Sequence, residues 1–347
     1  MWRIGMLGGT GTGRKRILPA LRDSQTCQVT VVEGRSHSRL AEIRNGDSTV
    51  RLVSGTAEFE QLADLFDVVY IGSPPFLRTR HVAIATRLGK PILCEKPLAT
   101  NRQQAMEVAE LVRAAGVPFM LAHQVRHQSA VADIKAAVDA GTWGSVRGAH
   151  LQWTFRMDRQ APNAVWKARP ELAGSSSMFD SGVHAVDLAT YWFGAPRAVY
   201  ATGGASLGEA VVLETVTAVL EYDGFAATVL TSQDAVSHDN GVSITFANAA
   251  VRAPGLLGEQ PARMIELISG LGHERREYPA GNLYRAEVED FCASNGGGWT
   301  NGATLADAEV TTEVLFAIED AVASGRRTLV GQASVGSTGS DSGAVDP

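Results

Sequence analysis

Cysteine is scarce in this chain of 347 residues: there are three, Cys27, Cys94 and Cys292, an odd number set far apart. That excludes the paired framework of a disulfide-stapled domain and fits a reducing compartment. A basic excess is missing as well. With 31 Lys and Arg against 37 Asp and Glu the formal net charge is −6, so a surface built to neutralise nucleic-acid phosphates is not expected. No stretch approaches the ~20 consecutive apolar residues of a membrane span. The opening MWRIGMLGG breaks its apolar run with glycines too early for a secretory signal core. These absences predict a cytoplasmic protein without a nucleic-acid, membrane or metal-ion partner, whose mild acidity would at most suit a cationic substrate.

What is present is an ordinary globular composition, 45% hydrophobic and 20% charged, at a length for which two domains are the default. Up to about residue 123, short apolar runs alternate with helical patterns. Strands are expected at 2–7, 27–33, 49–55, 67–73, 90–96 and 117–123, with helices ending near Leu21 and over 36–44, 59–65, 81–88 and 101–115. Continuous Val/Ile/Leu strands separated by helices predict a doubly wound parallel sheet covered on both faces, a Rossmann domain at 1–123. The pattern then changes. After a helix at 129–140, long segments alternate polar and apolar residues at 145–157, 211–224, 225–233 and 241–251, with further helices near 181–193, 284–294 and 304–323. Period-two alternation predicts strands with one buried face, hence an α+β domain at 124–330 carrying a large, open, mostly antiparallel sheet. The open face of such a sheet would suit a homodimer or homotetramer. From Gly331 the tail GQASVGSTGSDSGAVDP has almost no bulky apolar groups and is expected to be disordered.

The first turn reads Gly8-Gly9-Thr10-Gly11-Thr12-Gly13, between a strand and a helix, and Glu33 closes the second strand 20 residues after Gly13. Glycines let the backbone turn tightly and bring its amides, aided by a helix N-terminus, against a pyrophosphate. The spacing G-x-G-x-x-G is met as Gly8-x-Thr10-x-x-Gly13, with Thr in the middle place. A strand-end acid accepts hydrogen bonds from the adenosine ribose hydroxyls and repels a 2′-phosphate, which favours NAD. The following Arg35 and Ser36 are what a 2′-phosphate would want, so NADP stays open.

Two later segments carry chemistry: Cys94-Glu95-Lys96-Pro97 after a strand, and Asp180-x-Gly-x-His184-x-x-Asp187. With the glycine-rich start and the stretches 68–100 and 173–194, they resemble the Gfo/Idh/MocA family (glucose–fructose oxidoreductase and inositol 2-dehydrogenase) over nearly the whole chain to about residue 330. The resemblance implies that Lys96 enters the active site from its strand end and that the Lys96–Pro97 peptide is cis. It further implies cofactor contacts from Ser73 and Pro74, His81 (with helix capping as the plain alternative), Glu95 (or a mere partner of Lys96), Gln124 and Trp166-Lys167. Arg126 and Gln124 stand where the family has an aromatic-rich segment, and those aromatics are missing. Lys167 replaces the family's Arg, and Gly174-Ser175-Ser176-Ser177 replaces its glycine run.

Independently of the family, an ammonium near a reacting oxygen stabilises developing alkoxide charge, and His is the side chain best poised to move a proton near neutrality. Read as one helix, 180–187 places Asp180 and His184 on a common face. Lys96 and His184 are therefore the expected oxygen- and proton-handling pair, Asp180 the group that orients His184 or binds a substrate hydroxyl, and Asp187 a supporting residue. The reaction implied is hydride exchange between a nicotinamide and a secondary alcohol or ketone of a sugar, cyclitol, aminosugar or sugar nucleotide. The segment 14–21 resembles that of ketosugar reductases of antibiotic pathways. Redox-neutral sugar chemistry on a retained dinucleotide and a non-catalytic dinucleotide sensor are the alternatives.

Overall fold

In the computed structural model, residues 1–158, 160–161, 164–206, 212–236, 239–294 and 298–331 are described. Apart from Gly331, the expected disordered tail lies outside them.

The first sheet takes β1 (Trp2–Leu7), β2 (Cys27–Glu33), β3 (Arg51–Val53), β4 (Val68–Ile71), β5 (Ile92–Glu95) and β6 (Phe119–Ala122), all parallel. Alternate residues of these strands go to two apolar clusters. Leu7, Val31 and Val69 join one, while Met6, Val32 and Tyr70 join the other, so both faces are covered. That is why β4, β5 and β6 read as unbroken apolar runs.

The second sheet takes β7 (Val146–Thr154), β8 (Ala198–Ser206), β9 (Leu213–Tyr222), β10 (Phe225–Ser232), β11 (Gly241–Phe246), β12 (Ala249–Pro254), β13 (Met264–Ser269) and β14 (Gly272–Glu277). Late in the chain β15 (Ala303–Thr304) pairs antiparallel with β6 of the first sheet, and β16 (Thr328–Leu329) with β8. The first sheet thus runs β15-β6-β5-β4-β1-β2-β3 and the second β14-β13-β12-β11-β7-β10-β9-β8-β16, antiparallel except for the β7–β10 pair. One face of the second sheet packs on the helices Ser129–Asp139, Gly182–Phe193 and Leu305–Ser324.

Three features differ from the sequence expectations. The segment 241–251, read as one strand, is the hairpin β11–β12. Its turn at Ala247-Asn248 moves the buried positions from 242, 244 and 246 to 249, 251 and 253, and the run Ala247-Asn248-Ala249-Ala250 carries too little apolar contrast to mark that shift. β8, β13 and β14 lie in stretches where no strand was expected. The segment assigned to the second domain sends the helix Leu283–Ala293 and β15 back to the first sheet, where Val288 and Phe291 pack with Ile4, Met6 and Tyr70.

The strand order reverses between β1 and β4, and the glycine turn after β1 meets the Ser73 turn after β4 at their carboxyl ends. In open α/β sheets this switch point is where ligands bind. The helix Gly182–Phe193 is fastened to the far end of the same edge. Arg126, in the 3₁₀ turn Gln124–His127 after β6, donates two hydrogen bonds to Asp187, at 2.8 and 2.7 Å, with both side chains 1% exposed. Its guanidinium also lies over the Tyr191 ring, 4.4 Å from the centroid.

Stranding that guanidinium with Asp187→Ala is expected to lower the unfolding free energy by about 3–5 kcal/mol in a denaturant titration. Replacing both partners with apolar residues (Arg126→Met, Asp187→Leu) should cost much less. A single variant as stable as the parent would mean that this pair does not pin the helix.

Candidate active site

The glycine turn is held from below by Glu33. Its Oε2 accepts the Gly8 amide at 2.9 Å, and its carbonyl accepts the Gly9 amide at 3.0 Å. Gly8 has φ +69°, and a Cβ there would lie 2.7 Å from Ser73 Cα; one on Gly9 would lie 2.7 Å from Val32 Cγ1. These two positions require glycine for packing. Gly11 is different: its nearest neighbour would be Gly72 O at 3.9 Å, so its outer side is open. The amides of Thr10, Gly11 and Thr12 have no hydrogen-bond partner among the described residues. Gly13 begins a π turn that leads into the helix Leu18–Leu21. An open backbone with unpaired amides at a switch point fits a dinucleotide pyrophosphate, with Gly9–Gly13 as its cradle.

Lys96 leaves the carboxyl end of β5 through a cis Lys96–Pro97 peptide. Its Nζ donates to the Asp180 carbonyl at 2.5 Å and stands 3.5 Å from Asp180 Oδ1. Lys167 Nζ is 2.5 Å from Asp180 Oδ2, and Gln233 Nε2 donates to the same oxygen at 2.8 Å. Burial works to raise the pKa of Asp180, but Lys167 and then Lys96 outweigh it and hold the carboxyl well below the usual range. The side chains of Lys96, Asp180 and Lys167 keep some access to solvent, 17%, 27% and 20%. The cluster is therefore a charged group that solvent reaches, with one positive charge in excess.

His184 lies deeper and is 2% exposed. Trp153 stacks on its ring, with centroids 5.0 Å apart at 28°, and His123 meets it edge-on at 5.6 Å and 87°. Its Nδ1 is sealed and has no hydrogen-bond partner among the described residues. Burial, then the charge on Lys96, pushes its pKa well below the usual 6.5, so the ring is neutral near pH 7. His123 is likewise pushed down, by burial and then by Arg126, and its Nε2 stands 3.5 Å from Asp187 Oδ1.

The structure thus brings Lys96, Asp180, Lys167 and His184 to one region, but not in the arrangement expected of Asp180. The helix begins at Gly182 with Ser181 as its cap, and Asp180 closes the preceding 3₁₀ turn Ser177–Phe179. Asp180 and His184 therefore do not share a helical face. Among the described residues no hydrogen bond joins them, because the lysines and Gln233 take the Asp180 oxygens.

Glu95 is buried and accepts the Tyr70 hydroxyl at 2.8 Å, whereas the Lys96 ammonium turns to Asp180. His81 is not a cap: it sits within the helix Arg78–Arg87, which Leu77 caps, with its ring buried. Ser73 is buried beside the glycine turn, with Pro74 beyond it, and Gln124 is buried in the turn after β6. Trp166 lies next to Lys167 in the short helix Ala164–Lys167. Arg35 is exposed, and Ser36 caps the helix His37–Gly46 by accepting the Arg39 amide at 3.4 Å. Sequence reasoning missed Trp153, Gln233 and His123. His123 was findable, since it follows β6 where a parallel strand offers its carboxyl end. Trp153 and Gln233 carry no local signal, because they reach the site only once β7 and β10 pair.

Residues 2–123 match the model of an oxidoreductase family with an NAD-binding Rossmann fold, and residues 131–252 match that of the Gfo/Idh/MocA C-terminal domain. The chain is 32% identical over 284 residues, 81% of each chain, to a scyllo-inositol 2-dehydrogenase (NADP(+)) of Bacillus subtilis. It is 27% identical to a D-xylose 1-dehydrogenase (NADP(+)) of Haloferax volcanii, over 83% of this chain and 87% of the relative. The crystal structure of an aldose–aldose oxidoreductase from Caulobacter crescentus superposes with a TM-score of 0.82 at 20% identity, covering 94% of this chain and 99% of that one, and shares the fold. The chain belongs to the Gfo/Idh/MocA family of oxidoreductases. It is an NAD(P)-dependent dehydrogenase or reductase acting on CH–OH groups. Among the described residues no helix is long and apolar enough to cross a membrane.

The depressed histidines set a pH dependence of stability. His123 and His184 lie well below 6.5 in the folded chain, and His81 is pulled down to about 4 by burial and then by Arg78, Arg80 and Arg35. Each takes up a proton on unfolding once the pH falls below 6.5, so their contribution is complete above that pH and is lost below it. Glu95 and Glu287, raised by burial, act in the opposite sense, so the measurement is a comparison of chains. His123→Phe is expected to reduce the loss of stability between roughly pH 6.5 and 5 by up to about 1.4 kcal/mol per pH unit. Parallel stability curves for the two chains would mean that His123 is not held neutral.

Proposed function

We propose that this chain moves a hydride between a nicotinamide dinucleotide and the carbon of a secondary alcohol or ketone on a sugar, cyclitol, aminosugar or sugar nucleotide, with Lys96 and His184 handling the oxygen and the proton. The observation that carries the reading is the solvent-reached cluster in which Lys96 and Lys167 grip Asp180 in the same region as the neutral His184. When bound, the nicotinamide supplies the carbon that gives or receives the hydride.

The rest falls to the chain's own groups. Nδ1 of His184 is sealed, which leaves Nε2 as the nitrogen to exchange a proton with the substrate hydroxyl. A base held neutral near pH 7 can accept that proton during alcohol oxidation, and the same imidazole, once charged in its buried place, is a ready donor during ketone reduction. Lys96 carries a fixed positive charge for the oxygen as it becomes alkoxide-like, which is stabilised more in the transition state than in the ground state. Asp180 orients both lysines and offers carboxylate oxygens to a neighbouring hydroxyl. Such paired hydroxyls are what a polyol ring presents, and the relatives acting on inositol and xylose support that substrate class. A relative that is a dTDP-3,4-didehydro-2,6-dideoxy-alpha-D-glucose 3-reductase of Actinomadura kijaniata supports the sugar-nucleotide form of the substrate, and a tailoring step in secondary metabolism is the narrower form of the proposal. A homo-oligomer formed through the open face of the second sheet is part of the same proposal.

Lys96→Ala and His184→Ala are each expected to lower kcat by about 10²–10⁴-fold in a screen of polyols, aminosugars and sugar nucleotides read by nicotinamide absorbance. Dinucleotide binding, followed by fluorescence, should survive in both. Turnover untouched in the two variants would remove the catalytic assignment.

A further inference from the structure

A buried histidine that takes up a proton needs a group to stabilise the charge, and a carboxylate hydrogen-bonded to its far ring nitrogen is the common solution. His184 has none: its Nδ1 is sealed and without a hydrogen-bond partner among the described residues. The acids on either side of it are already engaged. Asp180, just before the helix, accepts from Lys96, Lys167 and Gln233, and Asp187, three residues on, takes two hydrogen bonds from Arg126. At the end of β6 His123 meets the ring edge-on and, held neutral, brings no charge. At the end of β5 the Lys96 ammonium opposes a second positive charge.

The ring is covered instead by Trp153 of β7, stacked on it with centroids 5.0 Å apart at 28°. Backbone pairing sets this stack. Trp153 stands opposite Thr231 in the β7–β10 pair, so both side chains lie on the face of the second sheet that packs on the helix Gly182–Phe193. Thr231 Oγ1 lies 2.6 Å from the hydroxyl of Ser181, the cap of that helix, and both residues are buried. Next to Trp153, Thr154 is clamped by Asn240, which accepts its amide at 2.8 Å and donates to its carbonyl at 2.7 Å. Strand and helix are thus held in register where the two rings meet. The face of an indole is electron-rich and attracts a cation within about 6 Å of its centroid, the more so where water is excluded.

We propose that Trp153 is a positioning residue for the acid–base step, its indole face stabilising the His184 imidazolium while Nε2 holds the substrate proton, in the role a carboxylate fills elsewhere. The inference rests on the reading that His184 exchanges that proton. During alcohol oxidation the O–H bond breaks, its electron pair stays on the oxygen, and the proton passes to Nε2. During ketone reduction the same proton returns to the oxygen. The positive charge therefore comes and goes against the indole. A carboxylate at this place would favour the charged ring at rest as well. The weaker pull of a π face leaves the resting ring neutral and still lowers the cost of charging it.

Fluorine drains electron density from an indole face with little change of shape. Fluorinated tryptophans placed at position 153 alone, among the six tryptophans of the chain, therefore separate charge stabilisation from packing. On the polyol that turns over best in the substrate screen, kcat is expected to fall stepwise with the number of fluorines, by about 2- to 30-fold over the series. Dinucleotide affinity, read by fluorescence titration, and the unfolding midpoint should stay within error of the parent. Trp153→Phe should keep part of the rate and Trp153→Leu should lose more, and in a His184→Ala background the fluorine series should be flat. A constant kcat across the series, equal rates in Trp153→Phe and Trp153→Leu, or the same stepwise fall without His184 would each overturn the proposal. Turnover untouched by His184→Ala overturns instead the reading on which it rests.

Discussion

Asp180 joins three parts of the chain that lie far apart in sequence: the end of β5 through Lys96, which donates to its carbonyl and stands 3.5 Å from its carboxylate, the short helix Ala164–Lys167 through Lys167, and the end of β10 through Gln233. Its value is not chiefly stability. A partly exposed ion pair contributes little, because solvent screens it and two long side chains must be immobilised. What it sets is geometry and charge. Two ammonium groups on one carboxylate keep a net positive charge at a fixed place, between the end of β5 in the first sheet and the end of β10 in the second. Loss of any one partner would leave the others free to swing.

Behind that cluster the side chains are buried and closely paired. The fully buried Arg126–Asp187 pair ties the helix carrying His184 to the turn after β6, and Trp153 and His123 hold the imidazole between them. A neutral, sealed histidine costs the fold hydrogen bonds that its Nδ1 and both nitrogens of His123 do not find among the described residues. Buried polar groups left in that state are concentrated where a protein does chemistry rather than where it is merely packed. The same edge holds Glu95, satisfied by Tyr70, and Glu287, whose two oxygens have no partner among the described residues and whose pKa burial drives well above the carboxylate range. Burial thus holds His184, His123 and Glu287 toward their neutral forms, and the charges near them are those of the Arg126–Asp187 pair and of the lysine–aspartate cluster.

Much of the fold was legible because each domain obeys one period. Parallel strands buried on both faces read as apolar runs, and strands buried on one face read as alternation. The exceptions were the turn at Ala247-Asn248, whose shift of phase falls among small residues, and short strands such as β13 and β14 whose exposed faces carry too little apolar patterning. The site was legible in its composition and not in its arrangement. Lys96 was marked by its strand end, and His184 by its motif. The inference that Asp180 faces His184 assumed one continuous helix, and the helix starts only at Gly182, after the 3₁₀ turn Ser177–Phe179 that Asp180 closes.

The amino-acid sequence by itself determined the class of sheet, the glycine turn that packing confines to residues without a Cβ, and the residue types available for moving a proton and stabilising an oxygen. These are local properties, set by periodicity, by steric exclusion and by the chemistry of single side chains. Only the tertiary structure decided which way those side chains point: Asp180 toward two lysines rather than toward the imidazole, Glu33 under the turn rather than over it, Trp153 and His123 against His184. Direction at these points follows from contacts between strands and turns tens of residues apart, and nothing in a linear sequence carries that information until the two sheets have formed.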